Sequence, residues 1–253
     1  AYHSSAFVYR DFENLYSLFR FRNFGASIFA SYPFDLFNRI EWGLNWLNTS
    51  RENIDYPTDP SVSRMLFVPE GKFVHDDVLY GYFAPVEGTR YYVGFKGTPK
   101  LSDKGIGFMT ITGDYRTYLP LFNYLNIALR VSGGASLGPN PQRFFLGGTE
   151  NWINRTFSNN VLPFDEPEDF AFMQFEMPLR GWSVNERNGT RFFLTNAELR
   201  FPLFQALLAG PLPILFQSVM GAFFFDLGGT WNGDFSAFKA AQYDSEGRVV
   251  AKD

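Results

Sequence analysis

Residues 191–202, RFFLTNAELRFP, and residues 216–231, FQSVMGAFFFDLGGTW, alternate apolar and polar side chains along most of their length. Successive side chains of a β-strand point to opposite faces. In the first stretch Phe193, Ala197, Leu199 and Phe201 share one side, and Asn196, Glu198 and Arg200 share the other. In the second, Val219, Phe223, Phe225 and Leu227 oppose Ser218, Ala222 and Asp226. One greasy face and one charged face, both sustained, describe a membrane-spanning strand whose other side is wet. A charge facing lipid at the bilayer midplane costs about 2 to 4 kcal/mol for Arg or Lys, and somewhat less for Asp or Glu. Glu198, Arg200 and Asp226 therefore look inward, and a register slip of one residue would expose all of them to lipid.

Composition agrees with that reading. The chain has 253 residues, of which 19% are aromatic (31 Phe and 13 Tyr among them) and 19% are charged, with a mean hydropathy of −0.15. No run of about 18 uncharged apolar residues occurs, which excludes transmembrane helices. A closed barrel is the other way to cross lipid with every backbone polar group satisfied. The net charge of −4 argues against a nucleic-acid partner. With no Cys and only His3 and His75, neither a zinc cluster nor a Cys–His nucleophile can be built, so no enzyme, metal or cofactor is expected. His75-Asp76-Asp77 is expected to be a solvated strand end, and DEPED at 165–169 an exposed acidic loop. The N-terminus has no charged region followed by an apolar one, so the chain is expected to be a mature product or a fragment of an exported protein.

Further strands are expected at 18–32, 39–47, 78–84, 90–96, 108–119 and 124–133, making roughly eight with the two above, joined by short turns and longer loops as in outer-membrane barrels. Their polar faces add Asp114, Arg116 and Arg130 to the lumen beside Arg200. The stretch 49–71, rich in Pro, Asp, Asn and Ser, is expected to be a long loop. One connection stands apart, 135–189. Loops of that length are usually functional or disordered, and its Gly147, Gly148, Arg143, Arg155 and several aromatics favour order.

Six stretches in order, RFRNFGASIFASYPFDLFNRIEWGL, LYGYFAPVEGTRYYV, ITGDYRTYLPL, FFLGGTENWINR, NAELRFP and FFFDLGGTW, resemble the C-terminal barrel of the Omp85 superfamily, which includes outer-membrane assembly factors and two-partner secretion transporters. The resemblance implies an all-β fold, an antiparallel transmembrane β-barrel, with residues 1–253 forming the C-terminal portion of a barrel of about 16 strands. It implies a lumen-directed loop at 135–189, in which the Arg of a Val/Ile-Arg-Gly-aromatic tip pairs with acidic residues of the inner wall. The matching wall positions are Glu198 and Asp226. The tip is matched to Ile153-Asn154-Arg155-Thr156-Phe157, with the Arg displaced by one position and the Gly missing; Arg155 is the expected partner and Asn154 the alternative. Physically, a guanidinium fork can hold two carboxylates that would otherwise repel; the competing arrangement pairs them with Arg130 and Arg200 along the wall.

An eight-stranded barrel is filled by its own side chains and could not also hold this loop. The chain is therefore expected to lack the closing strand or strands after its polar end, 238–253, and any N-terminal periplasmic domain. The implied function is assembly or insertion of outer-membrane proteins, or polypeptide translocation, in the outer membrane of a Gram-negative bacterium. Its expected partners are the lipid bilayer, other envelope assembly or secretion subunits, and unfolded outer-membrane proteins. Two alternatives stand beside it: a passive porin-like channel, and a structural barrel that anchors a periplasmic or surface domain in a larger complex.

Overall fold

The computed structural model describes residues 2–12, 15–81, 84–100, 105–122, 125–149, 166–176, 178–183, 186–204, 219–235, 242–243 and 249–250. Their elements, in chain order, are β1 (Tyr2–Phe12), β2 (Leu15–Pro33), β3 (Asn38–Asn53), β4 (Val62–Asp76), β5 (Leu79–Tyr80), β6 (Pro85–Thr98), β7 (Phe108–Phe122), β8 (Leu125–Leu137), β9 (Phe144–Leu146), α1 (Pro167–Phe172), β10 (Gln174–Glu176), β11 (Arg187–Gly189), β12 (Arg191–Phe204), β13 (Val219–Trp231), β14 (Gln242–Tyr243) and β15 (Val249–Val250). The fold is nearly all-β, with one short helix.

The wall is one antiparallel sheet in the order β1-β2-β3-β4-β6-β7-β8-β12-β13, with β5 paired to the start of β6. It is an open sheet of the kind that forms part of a barrel. Because β8 pairs directly with β12, the whole of 138–190 is an excursion between two neighbouring strands. Within that excursion β9 pairs parallel with β10 and antiparallel with β11, a small sheet of its own.

The two faces of the wall differ as the alternation predicts. Phe24, Ile28, Trp42, Leu44, Phe67, Val93, Phe95, Phe223 and Phe225 are exposed on the outer face. On the inner face Asn23, Thr49, Thr110, Asp114, Ser132 and Asn196 are buried beneath the excursion. Where helix α1 and β9 pack, that inner face turns apolar. One cluster joins Leu47, Leu66, Val68 and Phe108 to Phe172, another joins Phe192 and Leu194 to Phe144, Leu146 and Leu179, and a third joins Phe21 to Phe145.

Several boundaries depart from the expectation. The loop expected at 49–71 is confined to 54–61, because β3 runs on to Asn53 and β4 begins at Val62. Strand β4 is apolar on both sides, with Leu66, Val68 and Val74 buried inward and Met65, Phe67 and Phe73 exposed outward. Its period-2 signal is therefore absent, and Pro69 and Gly71 read as loop residues. Pro69 pairs with Leu44 on β3 but lies just past the end of the β4–β6 ladder, which covers only Glu70–Asp76, so on the β6 side no N–H is required of it. The strand expected at 78–84 is reduced to β5, and the residues between it and the strand expected at 90–96 already belong to β6, which starts at Pro85, with Gly88 at φ +102°. Strand β1 was not anticipated at all.

Candidate functional site: a guanidinium clasp on the inner wall

The β12–β13 register sets Asn196 opposite Asp226 and Glu198 opposite Phe224, so Asn196, Glu198, Phe224 and Asp226 form a patch on the inner face. The guanidinium of Arg180 sits on that patch, bridging its two carboxylates. Its Nε and one terminal nitrogen donate to the two oxygens of Asp226 at 2.7 and 2.6 Å, and its other terminal nitrogen donates to Glu198 at 2.7 Å. The Arg180 backbone N–H adds a further bond to Asp226 at 2.9 Å. The guanidinium carbon lies 3.7 Å from the centroid of the Phe224 ring, so the cation is held by carboxylates and by a π-system at once. The Asp226 side chain is only 2% exposed. Hydrogen bonds donated to Asp226, helped by those to Glu198, hold Arg180 above its ordinary range despite the opposing effect of burial.

Local sequence explains how Arg180 reaches the wall. Residues 178–183 form a turn pinned to Gly148, which accepts from the Leu179 N–H at 3.0 Å and donates to the Trp182 carbonyl at 2.9 Å. Leu179 anchors the turn in the apolar cluster with Phe144 and Leu146. Gly147 is at φ +130°, and a Cβ there would collide with the Ser183 carbonyl oxygen. Asn196 ties turn to wall, donating both to the Pro178 carbonyl and to Asp226 at 2.8 Å.

Glu198 also serves the wall itself, because its second oxygen accepts from Arg200 Nε at 2.8 Å. Loop pairing and wall pairing thus coexist on one carboxylate. Arg130 joins Asp114 at 2.6 Å, and Arg116 joins the other oxygen of Asp114 at 2.7 Å. A terminal nitrogen of Arg130 lies 3.6 Å from Glu176 on β10, which links that wall network to the excursion as well. Burial pushes the Glu176 carboxyl above its ordinary range, against the pull of Arg130.

A third attachment lies across the lumen on β2 to β4. Arg64 meets Glu166 at 2.9 Å and Glu168 at 3.0 Å, and the Thr49 hydroxyl donates to the Pro167 carbonyl at 2.8 Å. Helix α1 starts with Asp169 accepting from the Glu166 N–H at 2.9 Å, and it packs Phe170 against Phe21 and Phe172 against Phe108. The acidic stretch expected to be an exposed loop is therefore, over its described part, the first turn of a docked helix. Its Glu168 is 4% exposed, and burial raises its pKa.

Of the residues singled out from the sequence, Glu198, Asp226, Arg200, Asp114, Arg116 and Arg130 all lie on the inner face in these networks. Asn154 and Arg155 lie outside the described residues. The guanidinium seated between Glu198 and Asp226 is the one sequence reasoning missed. Its signal was legible: Leu179-Arg180-Gly181-Trp182 is an intact Arg-Gly-aromatic run, with Leu in the place of Val or Ile. Gly181 there adopts φ +89°, a conformation that a side chain would disfavour.

Comparison with known proteins bears on the same architecture. A family model described as "Omp85 superfamily domain" matches residues 1–248. Among solved structures, the chain is similar to BamA from Haemophilus ducreyi lacking POTRA domains 1-3, with a TM-score of 0.60 at 15% identity, covering 91% of this chain and 46% of that one. The chain thus spans about half the length of that structure. A search of curated proteins finds no match.

Proposed function

The chain belongs to the Omp85 superfamily, and from that premise we propose that it forms part of an outer-membrane barrel that assembles or translocates polypeptides, its lumen excursion locked to the wall by Arg180. The observation that carries this reading is the clasp itself: one guanidinium bound at once to Asp226 and Glu198. A passive pore needs only a wet, charged lumen. This wall instead uses several of its charges to hold a structured insert against β12 and β13, with further attachments at Arg130 and Arg64. Such an insert braces neighbouring strands, and in a barrel that assembles polypeptides an unpaired strand edge is the chemistry that templates an incoming strand.

The proposed partners are unfolded outer-membrane or secreted polypeptides and the lipid bilayer. Site-specific photo-crosslinkers along the inner face, at Thr112 and Glu70, test the reading in cells. Adducts with nascent β-barrel or secreted polypeptides are expected. Steady, ion-selective conductance by the purified protein with no such adducts would sink the proposal in favour of a porin.

A further inference from the structure

The outer face of β2 and β3 is uncharged over most of its length. Along it run Phe24, Ala26, Ile28, Ala30 and Tyr32 on β2, and Ile40, Trp42, Leu44 and Trp46 on β3. The charged residues on that face are Arg20, Arg22 and Glu52, all beyond Phe24 and Trp46 at one end. Phe24 and Trp46 stack edge to face, with centroids 5.7 Å apart, and so mark the rim of the apolar band. One rung past Phe24, Arg22 is flanked by hydroxyls on both sides, with Ser5 its direct partner on β1 and Ser50 its direct partner on β3. Arg20 follows, opposite Glu52.

Two guanidinia share that single carboxylate. Arg22 donates to Glu52 at 3.0 Å, and Arg20 contacts the other oxygen. The pair is left with a net positive charge. The Arg20 Nε–H, though shielded from solvent, has no hydrogen-bond partner among the described residues. Arg22 keeps 43% of its side chain exposed. This is the end of the sheet that carries by far the longest connection, 138–190, together with 54–61 and 99–107; in outer-membrane barrels the end with the longer loops faces outward.

We infer that Arg20, Arg22 and the Ser5 and Ser50 hydroxyls form a docking site for the phosphate group of an anionic glycolipid in the outer leaflet. Guanidinium forks bind phosphate oxygens bidentately, and neighbouring hydroxyls complete the shell. A basic side chain at this depth meets headgroups while the acyl chains lie along Phe24 and Ile28. Glu52 tunes the site, competing with the phosphate for the same donors. The inference rests on the outer-membrane reading given above.

Native mass spectrometry of the whole protein in detergent, offered bisphosphorylated lipid A or its phosphate-free counterpart, tests it. The wild type is expected to retain the phosphorylated lipid in preference. R22Q and R20Q should each lower retention about fivefold, the factor expected of one basic side chain at an anionic membrane surface. Glu52→Gln should raise it, an effect that a purely structural ion pair would not produce. Ser50→Ala, which leaves the ion cluster intact, should lower retention in a protein that still folds. Equal retention of the two lipids, or an unchanged value in R20Q and R22Q, overturns the inference, as does displacement by millimolar inorganic phosphate. Failure of the wild type to fold into liposomes would overturn the outer-membrane reading instead.

Discussion

Arg180 is the residue on which the inner wall converges, and its surroundings determine what its removal does. Two carboxylates, one of them 2% exposed, are brought close enough to share one cation. Truncating Arg180 to Ala leaves the Asp226 carboxylate buried without its cation, while Glu198 keeps Arg200, and breaking such a buried pair costs about 3 kcal/mol. The 178–183 turn of R180A is expected to become protease-sensitive, and the heat-modifiable band on gels should unfold at lower temperature. Lys at this position keeps the charge but cannot bind both carboxylates as a fork, so R180K should fall nearer to Ala than to wild type. Glu176 supplies a pH dependence of the opposite kind. Its folded pKa lies above its ordinary value of 4.5 because burial disfavours the carboxylate. The docked state therefore binds its proton more tightly than the undocked state does. The stability that this gives is full below about pH 4.5 and is lost as pH rises through the raised value. Glu176→Gln should remove that dependence and slow amide exchange across β10 at neutral pH. Faster exchange in the variant would show that the contact with Arg130 outweighs the cost of burial.

At the scale of elements, the excursion between β8 and β12 holds its shape through backbone demands as well as through charge. Gly147 meets two constraints at once, a left-handed φ and close approach to Ser183, whereas Gly181 at φ +89° has open space around the position of a Cβ. Gly147→Ala should therefore detach β9 from the turn that carries Arg180, while Gly181→Ala should cost only the conformational penalty of about 1 to 2 kcal/mol. Limited proteolysis and the melting of heat-modifiability distinguish the two. Similar sensitivity in both variants would mean that conformation alone matters. Helix α1 shows the same division of labour on the other side of the lumen. It has six residues, too few to stand alone, and it exists because Phe170 and Phe172 find Phe21 and Phe108 while Arg64 meets its first turn. That docking is also why β4 hides from a periodicity search. A strand whose lumen face is covered by a helix is apolar on both sides and loses its alternation.

The whole molecule is a wall with a lipid side and a wet side, and substitutions should report which is which. Arg introduced at Leu44 or Phe223, both exposed in the middle of the outer face, should cost about 2 to 4 kcal/mol and impair folding into liposomes. Arg at Thr112, opposite Gly94 on the inner face, should be tolerated. The reverse ranking would mean that the sheet is inside out. Most of the wall was legible in the chain because a strand writes its two faces into alternate residues. Glu198, Asp226, Asp114, Arg116, Arg130 and Arg200 could be assigned to the lumen on that ground alone. What occupies the lumen was not legible in the same way. The partner of Asp226 lies 46 residues away in the chain, in an excursion with no sustained period, where only the short Arg-Gly-aromatic run at 180–182 marks it and 153–157 offers a competing, imperfect match. Tertiary structure decided that pairing, since only the folded turn, pinned at Gly148 and Leu179, brings one particular guanidinium to the wall. The sequence by itself determined most of the strands and the sign of each of their faces, because these depend on side chains that are near neighbours along the strand. The clasp, the helix and the hidden strand were decided by contacts between segments far apart in the chain, whose geometry no local pattern encodes.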